Sequence, residues 1–515
     1  MRLISRIAIA LATAVTVTTV AAGASAETLE VQPGSSWCDT INAADPGDVV
    51  AMAPGDYSET CAIRAEGRSG DRIVVRSADP SDPARFTYDG RSSNVLDLVG
   101  GASYLTLEDL YFEPTKSDIT AIKNKGAHHV RIEGCEFHGI GGVAIAVNGA
   151  SEVDRRAITI VDNKFIDLDA TGIYIGCHDG STCQIDQVRI ARNLIKNVES
   201  DAIGYGLEIK LNSVATIRDN TIYNAKGPAL MVYGSDVGDA PSTIEGNYVS
   251  GSRTDSAILV GGGPAIVRNN VAKGGKYASI GTQDYGDRGL QSDIVIAHNT
   301  ALPSDGAAIS VDNWSSGSGN VIAHNAILSG SAAPLSPSDP AGTVRKNVAC
   351  ESAGECFEQG EQAPYDLWPK VDGPLHDAVS EASDDWVPSR DFMGVRRSPP
   401  LAVGAFERTD RTVDRDLGDG DPRPPRIEDE STGGDDAGSS DTDAADGGMD
   451  VGDQEPDATN PRDSATSEQD ESGSSSDGSS EGSACSSTGE KPGTPGVWWL
   501  VVLVGLVRRF GARRE

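Results

Sequence analysis

Ile160-Val161-Asp162-Asn163-Lys164-Phe165, Ile190-Ala191-Arg192-Asn193-Leu194-Ile195 and Ile217-Arg218-Asp219-Asn220-Thr221-Ile222 are three copies of one pattern: an aliphatic strand, an Asn, and a second short strand. The pattern returns at Asn247, Asn270, Asn299, Asn325 and Asn347, with Asp109 and Gly134 in the equivalent earlier places. The steps between Asn positions run from about 22 to 30 residues, which suits one coil of three short strands and three turns. Apolar residues alternate with period two, and the strands are too short and too β-branched for helices of ordinary length. The fold class that follows is all-β, a parallel β-helix spanning 27–408. Asn at the fixed turn is expected to tolerate left-handed backbone angles and to bond to the Asn of the next coil, so that a ladder forms inside the stack.

Each coil carries a further aliphatic strand, at 143–147, 173–175, 207–211, 230–233, 258–260 and 309–312. Alternation directs Ile, Leu and Val inward and the intervening residues outward. Stacked coils are therefore expected to present one exposed strip made of Tyr174, Glu208, Lys210, Met231, Tyr233, Ser310 and Asp312. A functional site is expected on this strip and the loops at its ends. Beside it, Gly176-Cys177-His178-Asp179-Gly180-Ser181-Thr182-Cys183 follows the Tyr174 strand directly. A Cys177–Cys183 disulfide would pin His178 and Asp179 at the edge, where they join Lys210 and Tyr233 in a candidate acid/base set.

The ends of the 515-residue chain read differently from its middle. Residues 1–26 begin with Arg2 and Arg6, run through an apolar stretch at 7–20 and close on Ala24-Ser25-Ala26, the pattern of a cleaved signal peptide. Export fits the cysteines, since Cys177 with Cys183 and Cys350 with Cys356 are close pairs, and Cys38 with Cys61 can close an N-terminal loop. Cys135 is expected to be a buried small hydrophobe. The net charge is −34, and residues 410–490 hold 24 acidic against 5 basic side chains among Gly, Ser, Thr and Pro. Such a balance argues against nucleic acid as a partner, and such a segment (409–495) is expected to be a disordered, self-repelling linker. At 496–515 a twelve-residue apolar run, 496–507, precedes Arg508, Arg509, Arg513 and Arg514. It is short for a permanent span, and its cationic end is expected to stay cytoplasmic.

With Cys485 upstream, this tripartite end resembles the Myxo-type C-terminal sorting tails of surface proteins in myxobacteria and their relatives. The resemblance implies a bacterial protein, secreted and held at the cell surface or outer membrane, that touches membrane only through its last segment. Pro46-Gly47-Asp48-Val49-Val50-Ala51-Met52-Ala53-Pro54-Gly55-Asp56-Tyr57, the Asn-turn coils and the closing Val403-Gly404-Ala405-Phe406-Glu407 together resemble the pectin-lyase-like right-handed parallel β-helix superfamily. That scaffold hosts lyases, hydrolases, epimerases and binding proteins, so the likeness bears on fold and not on reaction.

Gly206-Leu207-Glu208-Ile209-Lys210-Leu211-Asn212-Ser213, followed by Thr216-Ile217-Arg218-Asp219-Asn220-Thr221, is similar in order and coil position to polysaccharide lyase family six. The resemblance implies Lys210 as Brønsted base and Glu208 as a calcium ligand. Lyase chemistry removes a proton next to a uronate carboxylate, so it needs a base and a positive centre. The sequence departs from that family one coil on, where Ala229-Leu230-Met231-Val232-Tyr233-Gly234 lacks the catalytic Arg. Tyr233 or His178 is then the candidate acid, with Tyr174, Asp179, Asp312 and Trp314 as candidate substrate contacts. His178-Asp179 is also similar to the motif of mannuronan epimerases, though its flanks differ.

The clustered aspartates of polygalacturonase-type hydrolases and the Arg-Xaa-Pro-Xaa-Xaa-Arg signature of pectate lyases do not occur. Inverting hydrolysis would need two carboxylates about 6.5–9.5 Å apart, which Asp201, Glu208 and Asp312 could supply only by chance of folding, so hydrolysis ranks third. The expected function is action on acidic polysaccharide by a monomer, with β-elimination as the reaction. The alternative is a noncatalytic surface protein that binds glycans or other cells.

Overall fold

The computed structural model of the chain describes residues 26–407, except 89, 150–156, 201–203, 239, 312–313, 315–318, 360–365, 381–383 and 385. The expected signal peptide up to residue 25, the expected linker at 409–495, the apolar stretch at 496–507, Asp201 and Asp312 lie outside the described residues.

Three parallel sheets of 13, 12 and 11 strands wrap one core, and each coil visits them in turn. One such coil runs through Val188–Ala191 on the first sheet, Leu194–Val198 on the second and Leu207–Ile209 on the third, and the next begins at Ala215–Arg218. The result is a right-handed parallel β-helix, the hand that parallel crossovers adopt almost without exception. Among the described residues the helices are two short ones, Trp37–Ala43 and Ala353–Cys356. Register stacks like on like: on the first sheet Ile160, Ile190, Ile217 and Ile244 lie in one column, all fully buried. Burying each such side chain is worth about 1.5–3 kcal/mol, so repetition of the coil is itself the stabilising act.

Asn163, Asn193, Asn220, Asn247, Asn270, Asn299, Asn325 and Asn347 form the expected ladder, each side-chain amide donating to the next Asn Oδ1 at 2.8–3.0 Å. The backbone N–H of each also donates to that oxygen, as Asn193 does to Asn220 at 3.0 Å. The left-handed angle falls elsewhere than expected. It belongs to the residue before each Asn, at Asp162, Arg192, Asp219, Gly246, Asn269, His298, His324 and Lys346. Asp109 and Gly134 share it, so they match that preceding position and not the ladder itself. The turn rotates one residue early so that the Asn side chain points inward. Its bonds then offset the steric cost that Arg, His and Lys meet at positive φ.

Upstream of Asn163 the ladder position holds Leu110 and Cys135, and stacking shifts to aromatics. Phe86, Phe112, Phe137 and Phe165 lie face to face at 4.9, 4.7 and 4.8 Å. The helix Trp37–Ala43 covers the N-terminal end, with Trp37 edge-on to Tyr57 and Phe86. All three expected disulfides form, Cys38–Cys61, Cys177–Cys183 and Cys350–Cys356, and Cys135 is free and buried.

The segment 386–407 returns along the outside of the late coils. Gly404 N–H donates to the His324 carbonyl at 2.8 Å and Ala405 N–H to Thr300 Oγ1 at 3.0 Å. Arg397, buried, pairs with Glu407 and reaches Asn269 Oδ1 at 3.0 Å. Trp386 leans on His324, ring centres 5.3 Å apart. The closing Val403–Glu407 sequence is thus a clasp on the solenoid flank.

Candidate active site

The outward row of the third sheet passes in register through Ala146, Tyr174, Glu208, Met231 and Leu259. Sequence alternation places these residues outward as expected, but the centre of the row is not an exposed strip. Glu208 is 1 % exposed, Lys210 5 %, Met231 1 % and Tyr233 3 %. A second layer covers them, in which Tyr205, Met231, Tyr233 and Leu259 form their own apolar cluster with Leu211 and Tyr285 packed against it. Period-two alternation predicts which way a side chain points and says nothing of what a distant loop lays over it.

Inside this layer sits a closed hydrogen-bonded group. Lys210 Nζ donates to Glu208 Oε1 and, at 3.3 Å, to the Tyr233 hydroxyl. The Tyr233 hydroxyl donates to the same Glu208 oxygen at 3.0 Å, which leaves Tyr205 OH as donor to Tyr233 OH at 3.2 Å. The ammonium lies over three rings, 4.4 Å from the centre of Tyr233, 5.0 Å from Tyr174 and 5.8 Å from Tyr205. Aromatic faces attract a desolvated cation, so the cage and Glu208 together hold a charge that apolar surroundings would expel. Gly176, at φ +92°, makes the close approach possible: a Cβ there would stand 3.1 Å from Lys210 Cβ and 2.2 Å from Ser213 Oγ.

Burial raises the Glu208 carboxyl above its ordinary range, while Lys210 and Tyr233 pull the other way. Burial, followed by the Glu208 charge, holds Tyr233 far above the usual phenol range, and burial raises Tyr205 too. Both phenols therefore keep their protons across the physiological range and serve as donors, not as phenolate bases.

The other expected residues divide. His178 is exposed and near enough to act electrostatically on Glu208, with no hydrogen bond to the cluster among the described residues. Asp179 uses its carboxylate within the stapled loop, accepting from Ser181 N–H at 3.0 Å, Thr182 N–H at 2.9 Å and the Thr182 hydroxyl. Those bonds, Thr182's first, hold it down at about 2. Trp314 is 8 % exposed and packs in the main core column, so its ring is withdrawn from the surface on which a sugar contact was expected.

Arg288 went unforeseen. It stands two coils beyond the stretch searched for an Arg, on the loop after the strand Ala278–Thr282, yet its guanidinium comes back to 5.8 Å from the Tyr233 ring. It donates to the carbonyls of Tyr285 at 2.6 Å, Tyr233 at 2.9 Å and Gly261 at 3.2 Å. Nothing in the run Asp284-Tyr285-Gly286-Asp287-Arg288-Gly289 announces that return.

Calcium takes about six to eight oxygen ligands. Glu208 offers the cluster's one carboxylate, already engaged by Lys210 and Tyr233, and no group of three His, Cys, Asp or Glu suited to a metal occurs among the described residues. The donor set as it stands does not fit calcium.

A family model described as right handed beta helix region matches residues 175–347. Among solved structures, pectate lyase Pel9A is similar at 15 % identity, over 75 % of this chain and 98 % of that one, with a TM-score of 0.39. The alginate lyase from Paenibacillus sp. str. FPU-7 is 16 % identical, over 63 % of this chain and 99 % of that one, with a TM-score of 0.29. The A-module of the Azotobacter vinelandii mannuronan C-5 epimerase AlgE4 is 13 % identical, over 59 % and 87 %, with a TM-score of 0.40. No curated protein matches the chain.

Proposed function

We propose that this protein is a secreted, surface-associated β-helix that acts on acidic polysaccharide, and that it does so as a uronate lyase working by β-elimination. The observation that carries the reading is the closed group of Lys210, Glu208, Tyr233 and Tyr205, in which an amine, a carboxyl and two protonated phenols share one water-poor site. Elimination needs a base for the proton on the carbon beside the uronate carboxylate and an acid for the departing glycosidic oxygen. Lys210 is the base. The amine is freed for this when the proton it shares with Glu208 passes along their hydrogen bond to the carboxylate, whose affinity for a proton burial raises.

The amine then takes the ring proton, the carbon–oxygen bond breaks, a carbon–carbon double bond forms, and Tyr233 protonates the leaving oxygen. Glu208, protonated in the first step, returns a proton to Tyr233 along their hydrogen bond, which restores the starting Lys210–Glu208 pair. His178, exposed at the rim, is the second candidate for the acid. Once it has taken the ring proton, Lys210 is an ammonium beside the charge that develops on the substrate carboxylate, and the Tyr174 ring is a stacking face for the sugar. Three disulfides support an oxidising compartment, and hence export.

The noncatalytic glycan-binding alternative is favoured by the near-complete burial of Lys210 and Glu208, which leaves little of either for a substrate to touch. One assay separates the two. The purified protein is incubated with alginate, pectate and glycosaminoglycans, with and without calcium, and ultraviolet absorbance of the unsaturated product is followed. Absorbance on one of these polymers is expected. Binding without any product would sink the lyase reading and leave the binding protein.

A further inference from the structure

The third sheet is built alike along its length, yet its outward face is closed on one side of Lys210. Toward the C-terminal coils the loop between the strands Ala278–Thr282 and Ile294–Ala297 folds back across two coils. Arg288 fastens it to the carbonyls of Tyr233 and Gly261, and Gly263 N–H donates to the Leu290 carbonyl at 2.7 Å. Gly261 shows how tightly it sits: a Cβ there would lie 2.9 Å from Met231 Cε and 3.2 Å from Tyr285 Cβ. Met231 and Leu259, which point outward, are consequently 1 % and 4 % exposed. Toward the N-terminal coils the same face offers Tyr174 and Lys123, both partly exposed, and Lys125, 41 % exposed.

From this asymmetry we infer that the groove accepts the end of a uronate chain and not its middle. The inference rests on the reading that the third sheet binds acidic polysaccharide. Tyr233, which belongs to the acid/base group, is itself the first residue under the wall. Adjacent coils stand about 4.8 Å apart, so a chain that runs along the face to Lys210 meets the wall within about one sugar unit. The rest of the chain must leave over Tyr174 toward Lys123 and Lys125, which donate to Asn148 and Asp97 in the free protein and would exchange those partners for its carboxylates. A polymer lying across the site would have to pass through Tyr285 and Arg288. Cleavage at such a site releases small units from one end.

The test uses the full chain with alginate and polygalacturonate, each as hexamers and as long chains. Product sizes are followed with the wild type, and binding stoichiometry by calorimetry with Tyr233→Phe, which keeps the ring and removes the proton donor. The expected result is single units from the first time point, a slow fall in viscosity, and one protein bound per polymer chain whatever its length. Mid-chain fragments at early times, or several proteins on each long chain, would overturn the inference and leave the lyase reading intact. Absence of product with one protein bound per chain would uphold the inference and defeat the lyase reading; absence of binding to either polymer defeats both. Arg288→Ala and the milder Arg288→Gln release the wall, and mid-chain products or a several-fold rise in proteins per long chain are expected. Wild-type values for both variants would refute the assignment of the wall to this loop.

Discussion

Replacing Asn220 by alanine removes one rung from the middle of the ladder. Asn220 is fully buried, accepts from the Asn193 backbone N–H at 3.0 Å and side-chain amide at 2.9 Å, and donates to the Ile190 carbonyl and Asn247 Oδ1, both at 2.9 Å. The substitution strands the Asn193 N–H where water cannot reach it, at about 1–3 kcal/mol, and forfeits three further bonds at about 1 kcal/mol each, for a total of about 5 kcal/mol. Asn347 at the ladder's end is the internal control. It accepts from Asn325 N–H at 3.0 Å and its amide at 2.8 Å, but is half-buried, so water replaces the lost partner and Asn347→Ala should cost only about 1–2 kcal/mol. Guanidinium melts of the full chain, followed by far-ultraviolet circular dichroism, measure both. Amide hydrogen exchange should localise the first loss to the coils of Asn193 and Asn247, because a solenoid couples mainly to its nearest neighbours. Equal shifts for the two variants, or an Asn220→Ala protein as stable as the wild type, would refute the idea that the ladder works as a dry, continuous column.

Four other outcomes are expected. Tyr233→Phe should lower turnover on the responsive polyuronate by about 10²- to 10⁴-fold while leaving binding, since a general acid is worth that much; unchanged turnover would move the acid to His178. Cys135, whose thiol burial pushes up to about 12, should resist alkylation at pH 8 until the protein is unfolded, because it remains protonated until far more alkaline pH. Removing Cys38–Cys61 should cost about 3 kcal/mol and Cys177–Cys183 about 2 kcal/mol, since the first closes a longer loop, and comparative melts of the two double serine variants would check the order. The clasp should loosen in acid. Burial holds His324 down to about 4, with Asp384 opposing and Arg345, Lys346 and Arg397 reinforcing, so between 6.5 and about 4 the unfolded chain binds the extra proton. The His324 contribution is therefore complete above pH 6.5 and lost as pH falls through that window; Trp386 fluorescence should report the change, and His324→Gln should flatten it.

The solenoid was legible because its instructions repeat. Asn163, Asn193 and Asn220 mark the coils, and Ile160, Ile190 and Ile217 fix the inward register that the sheets adopt. The same argument found Glu208, Lys210 and Tyr233 on one outward face, and hydrogen bonds join the three there. It erred where contact depends on sequence-distant chain. Tyr285 and Arg288 cover the row from more than fifty residues beyond Tyr233's carbonyl, as the 55-residue separation of the Arg288–Tyr233 bond records. Trp314 and Asp179 illustrate a second limit: a side chain's type suggests a ligand, while local packing or a turn's own N–H groups claim it first. The left-handed angle was assigned one residue late because Asn is the residue that tolerates it best, whereas the ladder needs the Asn amide aimed at its neighbours.

Successive rungs are separated by 30, 27, 27, 23, 29, 26 and 22 residues, yet their bonds hardly vary. The joints are therefore interchangeable, and a gene for this scaffold can lengthen or shorten by whole windings with the seam falling at any Asn. Excising 221–247 would join Asn220 to Tyr248 just as Asn247 is joined now, and the column would close over the gap. The hydrogen-bonded group of the third sheet would not survive the same surgery. Lys210 would find Gly261 where Tyr233 had stood, in keeping with the register of Val232 on Val260. Architecture here is written in replaceable units, and the group of Glu208, Lys210 and Tyr233, spread over two of them, is not.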